Sequence, residues 1–402
     1  MRPFTRTIPV DEARAIIDST IQPIARTARI PLATALGRVL ARDITAEADV
    51  PPFARASMDG YAVRAGNTTG ATKASPRGLD CIGQVFTGDA PARGIGHGEC
   101  LEIATGAPMP DGADAVVMVE ETFRDGRAVQ IFSAVIPQQN VGKRGADIHA
   151  GQTVLSNGDT LNPSRIGAAA ALGIDEVVVY DLPRVTILST GNEIVEPGRP
   201  LGPGQIYDIN RFTLSALVSD NGGIPVPRRT ARDTIEDLER AIDESRHDDL
   251  MLFSGGSSVG ERDLILDVLQ KRGETLFHGL AVKPGKPTAF GRVGVTPFFG
   301  LPGYPTSCLS NAYILVAPAL RKMAHLASRL HRTMVLPLGQ RVVSTIGRHQ
   351  FFTVRLADGL AMPAFKGSGD ITSMSQADGY IEIPVDVASV DAGTPVEVTL
   401  FI

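Results

Sequence analysis

The sequence has 402 residues, which is more than one hydrophobic core usually serves, so several domains are expected. Its 43% hydrophobic and 21% charged residues are typical of soluble proteins, and a formal charge of −5 gives no sign of nucleic-acid binding. No apolar run approaches the roughly 20 residues that span a bilayer, and MRPFTRTIPVDEAR lacks the apolar core of a secretory signal, so we expect a cytoplasmic protein without a membrane partner.

The N-terminal third changes from a helical to a β pattern. Residues 11–41 carry a helical pattern of apolar residues, with a second amphipathic segment leading to Leu36 and Leu40. Residues 51–144 are short apolar runs cut by turn residues, and Asp125-Gly126 stands in a hairpin position. This spacing predicts an all-β domain.

A helical pattern resumes at Pro163. It predicts that residues 145–182 rejoin residues 1–50 in one discontinuous linker domain of helices and strands, with the β-domain inserted between them.

Strand and helix alternate from residue 183 to residue 328. The runs RVTILST and DLMLFSGG are expected strands, while IYDINRFTLSALVSDNGG, DTIEDLERAIDES and RDLILDVLQKRG are expected helices, the second capped by Asp233. The alternation predicts a doubly wound parallel sheet with helices on both faces. Residues 329–402 return to short strands and predict a small β-barrel. The fold class is therefore multidomain α/β plus β.

Cysteine and histidine spacing gives no sign of a metal cage. Cys81, Cys100 and Cys308 stand far apart without a CxxC pair, so they are interpreted as small core or surface residues and no disulfide is expected. His325 and His331 are six residues apart, which does not direct both rings to one metal on a helix.

Three glycine-containing loops are expected at one edge of the central sheet: STGNE, SGGSSVGERD and GLPGYPTS, at residues 189–193, 254–263 and 300–307. Ligands of open parallel sheets lie at the carboxyl ends of strands, where exposed N–H groups bind anions. The loops therefore predict a phosphate site. Glu261 and Arg262 replace the Lys and Ser/Thr of a P-loop, and no GxGxxG follows the first strand. The alternative, that the glycines only form tight turns, is weakened by three loops at the same edge.

The segment AVKPGKPTAF places two lysines, Lys283 and Lys286, on a stiff extended chain because each is followed by proline. Surface lysines are usually only solvated, but two fixed cations between anion-binding loops favour an anion site.

Acidic residues stand at loop or element ends, namely Asp59, Asp147, Glu193, Asp233 and Asp263. Carboxylates beside a phosphate repel it unless a cation lies between them, and Mg²⁺ prefers such oxygen ligands. Glu193 and Asp263 each follow a glycine-containing loop and are the expected Mg²⁺ ligands, whereas Asp233 is better explained as a helix cap.

Seven segments follow one another in the order of a known family: SMDGYAV, TGAPMPDGADAVVMVEE, STGNEI, GQIYDIN, SGGSSVGERD, KPGKP and LPGYPTS. They lie within residues 57–307. The pattern resembles the molybdopterin molybdenumtransferases, the metal-insertion enzymes of molybdenum-cofactor biosynthesis, whose eukaryotic relatives include the carboxy-terminal domain of gephyrin. The resemblance implies an elongated homodimer with four subdomains that takes adenylylated molybdopterin and molybdate (or tungstate), uses Mg²⁺ and releases AMP. Other proteins of the same biosynthesis are further candidate partners.

The resemblance also implies the residues of the active cleft. Charged residues with catalytic roles would be Asp59, Asp147, Glu193, Asp263, Lys283 and Lys286. Substrate- or phosphate-binding residues would be Thr105, Gly191, Ser254, Gly255, Gly256, Ser257, Gly285, Pro287, Pro302, Gly303, Pro305, Ser307, Arg355 and Ser368. Because Asp59 and Asp147 come from outside the α/β region, the partner chain is expected to complete the site.

Four positions depart from the family pattern. Tyr304 replaces a small amide, and Gly142, Gly279 and Thr353 stand where basic residues are usual; Arg355 is the expected substitute for the last. Each close charged contact is worth about 1.5–3 kcal/mol, so anion capture would be weakened. Two alternatives to an active insertase therefore remain: a paralogue that binds the pterin nucleotide without inserting metal, and an interaction scaffold. The acidic residues and lysines of the motifs argue against the scaffold.

Overall fold

The computed structural model describes residues 7–228, 234–255, 264–330 and 332–401. The chain divides into two compact units, Arg29–Val179 and Met1–Ala28 with Tyr180–Ile402. No helix in the described ranges is long and apolar enough to cross a membrane.

Helix α1 (Val10–Thr20) begins the described chain and buries Val10, Ala13 and Ile17, which form one stripe at helical spacing. The helical pattern expected to continue to residue 41 was wrong beyond Thr20. Strand β1 (Thr27–Pro31) and a short 3₁₀ turn occupy that stretch, and Leu36 is exposed. The prolines of this stretch and its β-branched residues disfavour a continuous helix.

The unit Arg29–Val179 consists mostly of short strands. After β1 these are β2 (Ile44–Thr45), β3 (Arg55–Ala56), β4 (Gly60–Val63), β5 (Arg77–Val85), β6 (Glu99–Ile103), β7 (Ala115–Met118), β8 (Thr122–Asp125), β9 (Ala128–Ile131), β10 (Val141–Gly142), β11 (Thr153–Leu155) and β12 (Glu176–Tyr180), with helix α2 at Pro163–Ala171.

Six of these strands form one sheet in the order β7-β4-β6-β5-β9-β8. Successive residues of β4 and β7 enter two different core clusters, as with Val63 and Ala62, so both faces of the sheet are covered. The predicted hairpin is confirmed: β8 and β9 pair antiparallel and turn through Gly126, whose φ is +59°. A third cluster packs α2 against β2, β11 and β12.

Helix α2 starts where the sequence predicted. The side chain of Asn162 accepts a hydrogen bond from the Arg165 N–H at 2.9 Å, and Pro163 occupies the first turn, where its missing N–H is not needed.

The second unit continues with β13 (Arg184–Ser189), β14 (Ile194–Val195), β15 (Ile206–Tyr207), α3 (Asn210–Asp220), β16 (Ile224–Pro227), α4 (Ile235–Glu244), β17 (Leu250–Ser254), α5 (Leu264–Arg272), β18 (Glu274–His278), β19 (Val282–Lys283), β20 (Ala289–Val293) and β21 (Thr296–Leu301). Helices α6 (Pro305–Asn311) and α7 (Ala317–Met323) follow, joined by a π-helical turn at Ala312–Val316.

The central sheet has the order β16-β13-β17-β21-β20-β18. The first four strands are parallel, but β20 runs antiparallel to its neighbours β21 and β18, so the expected all-parallel sheet was wrong at this edge. Strands β20 and β21 are joined by a tight turn at Gly294, which is far too short for a parallel crossover.

Helices cover both faces of this sheet. Ile187 packs in the cluster of α1, α3, α6 and α7, whereas its neighbour Leu188 packs in the cluster of α4 and α5. On β17, Leu252 packs in the first of these clusters and its neighbour Phe253 packs in the second. The prediction of helices on both faces is confirmed.

The N-cap of α4 is Thr234, not the expected Asp233, which lies outside the described residues. The Thr234 hydroxyl accepts a hydrogen bond from the Asp237 N–H at 3.2 Å. We expect Thr234→Ala to lower the free energy of unfolding by about 1 kcal/mol in urea titrations, since the helix loses a partner for one N–H. Thr234→Ser keeps the acceptor and should match the wild type; an equal loss in both variants would contradict the cap.

The C-terminal strands are β22 (Thr333–Pro337), β23 (Val342–Val343), β24 (His349–Ala357), β25 (Leu360–Pro363), β26 (Gly379–Ile383), β27 (Ser389–Val390) and β28 (Pro395–Leu400), with the short helix α8 at Thr372–Ser375. Their main sheet has the order β19-β24-β26-β28-β22, and β25 pairs with β24. A bridge between Leu338 and Ala361 brings the chain beyond β22 to β25, so the sheet curls into a half-barrel.

Candidate active site

A cavity of about 690 Å³ lies at the carboxyl ends of β13, β17 and β21. It brings together Ser368 of the C-terminal region and most of the residues predicted for the α/β region: Gly191, Glu193, Ser254, Gly255, Lys283, Gly285, Lys286, Pro287, Pro302, Gly303, Pro305 and Ser307. Gly256, Ser257 and Asp263 lie outside the described residues.

The glycine-containing loops touch one another through their main chains. The Thr190 N–H donates to the Ser254 carbonyl at 2.9 Å. Gly255 has a φ of +98°, and a Cβ built there would lie 2.4 Å from the Thr190 carbonyl oxygen. A Cβ at Gly303 would approach the Gly255 Cα to 3.5 Å. Position 255 therefore requires glycine for both its conformation and its contact.

Asn210, at the start of α3, joins two of these loops by hydrogen bonds. Its amide Nδ2 donates to the Ser254 Oγ at 2.7 Å and to the Gly303 carbonyl at 2.8 Å. Two residues earlier, the buried Asp208 accepts from the Ser189 Oγ at 2.9 Å. Both residues line the cavity and were missed as site residues, although they lie in the segment GQIYDIN.

The lysine segment is extended, as predicted, and its turn is tightly packed. Lys283 donates from Nζ to the Thr345 Oγ1 at 3.0 Å. The buried Asn311 donates from Nδ2 to the Gly285 carbonyl at 2.8 Å, and Gly285 has a φ of +102°. This turn directs Lys283 and Lys286 toward the same cavity.

Among the described residues, the arginine that lines the cavity is Arg348, and the expected Arg355 does not line it. Arg355 is exposed on β24 and does not line the cavity, whereas Arg348 does. Arg348 immediately precedes β24, whose first residues pair with Val282 and Lys283. Only this long-range pairing brings Arg348 beside the lysines, so no local sequence signal could have identified it.

The structure also shows the surroundings of three other positions that depart from the family pattern: Tyr304, Thr353 and Gly279. Tyr304 lines the cavity with 68% of its surface exposed, and Thr353 is buried with no hydrogen-bond partner for its hydroxyl among the described residues. Gly279 has a φ of +104°, a conformation that disfavours the basic side chain expected there.

Glu193 carries a carboxylate exposed in the cavity. A Cβ at Gly191 would lie 2.7 Å from its Oε2, so the carboxylate lies directly over the Gly191 main chain. Within the described ranges, no cluster of three or more His, Cys, Asp or Glu residues could hold a metal by itself.

Asp59, Thr105 and Asp147 belong to the other compact unit and do not line this cavity. Asp59 and Thr105 are joined: the Thr105 N–H and Oγ1 donate to the Asp59 Oδ1 at 2.6 and 2.9 Å. Asp147 is exposed.

The Thr105 hydrogen bonds, first from its N–H and then from its hydroxyl, lower the pKa of Asp59 below 3.8. A depressed folded pKa stabilises the fold above the unfolded pKa, and this contribution disappears as the pH falls through the folded pKa. We expect Thr105→Val to raise the Asp59 pKa part of the way toward its ordinary value, and carboxyl-detected NMR titration would measure this rise. Thr105→Ser should titrate as the wild type does; identical titrations for Val and Ser would exclude a role for the hydroxyl.

Comparisons with known proteins match the chain to one family along most of its length. Three family models match in order: the MoeA N-terminal region (domain I and II) over residues 8–173, a probable molybdopterin binding domain over 186–322, and the MoeA C-terminal region (domain IV) over 335–401.

Named relatives match over nearly the whole chain. Molybdopterin molybdenumtransferase 2 of Mycobacterium tuberculosis is 37% identical over 388 residues, covering 93% of this chain and 95% of that protein. Molybdopterin molybdenumtransferase of Haemophilus influenzae is 37% identical over 318 residues, covering 79% and 78%. The crystal structure of the molybdopterin biosynthesis MoeA protein from Pyrococcus horikosii superimposes with a TM-score of 0.87 at 41% identity, covering 99% of this chain and 100% of that one. The chain belongs to the MoeA family of molybdopterin molybdenumtransferases.

Proposed function

We propose that this chain inserts molybdate, or tungstate, into adenylylated molybdopterin and releases AMP, a step of molybdenum-cofactor biosynthesis. The observation that carries the proposal is the single cavity in which main-chain loops at three strand ends face Lys283, Lys286 and Arg348. Such a cavity offers N–H donors and fixed cations to an anionic nucleotide and an oxyanion together.

Different residues of the cavity bind the two substrates. Ser254 and Gly255, with Gly256 and Ser257 beyond them in sequence, bind the phosphate groups. Lys283, Lys286, Arg348 and Ser368 also line the cavity and bind the oxyanion. No side chain needs to form a covalent bond, because positioning and charge stabilisation supply most of the catalysis in phosphoryl chemistry.

Glu193, together with Asp263, would hold Mg²⁺. The exposed Glu193 carboxylate fits this ion, since Mg²⁺ is usually bound by one or two carboxylates plus substrate phosphates. Bound there, Mg²⁺ would offset negative charge on the departing AMP.

The working form is proposed to be a cytoplasmic homodimer. Each chain would have four subdomains: residues 1–50 with 145–182, 51–144, 183–328 and 329–402. Asp59, Thr105 and Asp147 of one chain would complete the cavity of its partner. The resemblance to the family, which implies that all three residues line the active cleft, supports this assignment.

The direct test is AMP release. Purified protein is incubated with adenylylated molybdopterin and Mg²⁺, with molybdate, with tungstate, or with neither oxyanion. Oxyanion-dependent AMP release, abolished by a chelator, is the expected result. Tight binding of the pterin nucleotide with no release would instead identify a non-catalytic paralogue, and absence of binding would favour a scaffold.

Arg348→Ala should raise the KM for molybdate by about tenfold, the effect of losing one charge-assisted hydrogen bond of about 1.5 kcal/mol. Arg355→Ala is the matched control, because its guanidinium lies on the same strand region outside the cavity. If Arg355→Ala raised the KM for molybdate more than Arg348→Ala did, Arg355 would be the oxyanion-binding arginine, as expected from the sequence.

A further inference from the structure

Two cysteines that are far apart in the sequence lie side by side in the six-stranded sheet. Strands β5 and β6 are parallel, and their register pairs Cys81 with Cys100. Both side chains enter the same core cluster, so they lie on the same face of the sheet. Neighbouring strands are about 4.7–4.9 Å apart, which falls inside the Cα separation of about 4.4–6.8 Å that a disulfide spans.

The register around this pair is irregular. It shifts between Cys81 and Gln84, so β5 departs from regular pairing directly after Cys81. The Cys81 thiol donates to the carbonyl of Gly83 at 3.3 Å within this irregular stretch. A bulged strand can adjust its side-chain direction more easily than a regular one, which favours the approach of two sulfur atoms.

The two thiols have different surroundings. Cys100 is completely buried, and burial raises the pKa of its thiol to about 12, with the neighbouring Cys81 adding to the effect. Cys81 is 4% exposed, whereas Cys100 is 0% exposed. Of the two residues, only Cys81 therefore has surface that solvent can reach.

We propose that Cys81 and Cys100 form an oxidation site at which a hydroperoxide produces a reversible intrachain disulfide. Cys81 is the thiol that reacts with the oxidant, and Cys100 is the thiol that resolves the product. This site is separate from the substrate cavity and does not depend on the proposed function.

The chemistry balances in two steps. The Cys81 thiolate attacks one peroxide oxygen, so an S–O bond forms and the O–O bond breaks; the leaving oxygen takes a proton, and Cys81 becomes a sulfenic acid. The Cys100 sulfur then attacks the Cys81 sulfur, an S–S bond forms, the S–O bond breaks, and the Cys100 proton leaves with the hydroxide as water. The peroxide is reduced by two electrons and the two thiols are oxidised by two. A dithiol reverses the change by thiol–disulfide exchange.

The test uses the full-length protein, reduced, desalted and treated with hydrogen peroxide at low protein concentration. After quenching, the protein is denatured, its free thiols are alkylated, and the peptides are mapped by mass spectrometry. We expect alkylation of Cys308 alone and a peptide pair joined through Cys81 and Cys100, lighter by two hydrogen atoms. Treatment with a dithiol before alkylation should restore all three alkylated cysteines.

Three variants separate the roles of the thiols. Cys100→Ser should trap a sulfenic acid at Cys81 that reacts with dimedone, and Cys81→Ser should give no such adduct at Cys100. Cys308→Ser is the matched control, since Cys308 is also buried but has no cysteine neighbour; it should form the disulfide as the wild type does. The proposal fails if wild-type Cys81 and Cys100 are both alkylated in a sample whose methionine sulfoxides show that peroxide acted, or if the only disulfide joins two chains. The wild-type map decides the matter even if a serine variant does not fold.

Discussion

Replacing Lys286 with alanine should raise the KM for molybdate by about 10- to 100-fold and leave the thermal stability nearly unchanged. Lys286 lines the cavity beside Lys283, and the turn between them is held by the Asn311 amide, which donates to the Gly285 carbonyl at 2.8 Å. A charged hydrogen bond contributes about 1.5–3 kcal/mol, which corresponds to this range of affinity. Initial rates of AMP release over a molybdate titration would measure it.

Two controls make the Lys286 result specific. Lys271→Ala removes a lysine from the exposed end of α5, away from the cavity, and should leave the KM unchanged. Lys286→Arg keeps the charge and should recover part of the affinity, because arginine binds oxyanions in a different geometry. An unchanged KM in Lys286→Ala would remove this lysine from oxyanion binding.

Gly285→Ala should reduce both the free energy of unfolding and the affinity for molybdate. Gly285 has a φ of +102°, and a Cβ there would lie 2.3 Å from the Nδ2 of Asn311, which is completely buried. The backbone conformation costs about 1–3 kcal/mol for a non-glycine residue. The collision adds about 1–3 kcal/mol, as overpacking of a dense interior usually does. Because Gly285 lies between the two lysines, any shift that relieves the collision also moves their ammonium groups.

Gly294→Ala is the matched control for Gly285. Gly294 also has a positive φ, +61°, but a Cβ there would meet no atom within 4 Å. It should lose only about 1–2 kcal/mol for the left-handed conformation and keep its molybdate affinity. Urea denaturation and molybdate titrations of both variants give the comparison. Equal losses of stability would mean that backbone conformation alone, and not the contact with Asn311, makes glycine necessary at position 285.

The candidate site could be predicted from the sequence wherever a strand end and its loop are contiguous. The loops at Thr190, Gly255 and Gly303 each follow an apolar strand, and parallel strands bring their carboxyl ends to the same edge of a sheet. Asn210 was missed because its role is to hydrogen-bond two loops that are distant in sequence. Arg348 was missed because the pairing of β19 with β24 is not encoded by any local pattern.

The errors in the fold have the same origin. Strand β20 was not anticipated as antiparallel, since an apolar run of that length fits either direction and only the turn at Gly294 decides between them. The helical pattern expected up to residue 41 failed beyond Thr20 because the same spacing of apolar residues also fits a short strand and a 3₁₀ turn, after which Leu36 is exposed and Leu40 is buried. The adjacency of Cys81 and Cys100 likewise depends on the register of two strands that lie far apart in the chain.

The sequence by itself determined the periodicity of each element, the glycines that its turns require, the fixed lysine pair and the resemblance to a family, because these depend on residues close together in the chain. Only the tertiary structure decided which distant residues meet: Arg348 with the lysines, Asn210 with two loops, and one thiol with another. Such encounters depend on strand order and register, which many sequences of the same local pattern could satisfy differently.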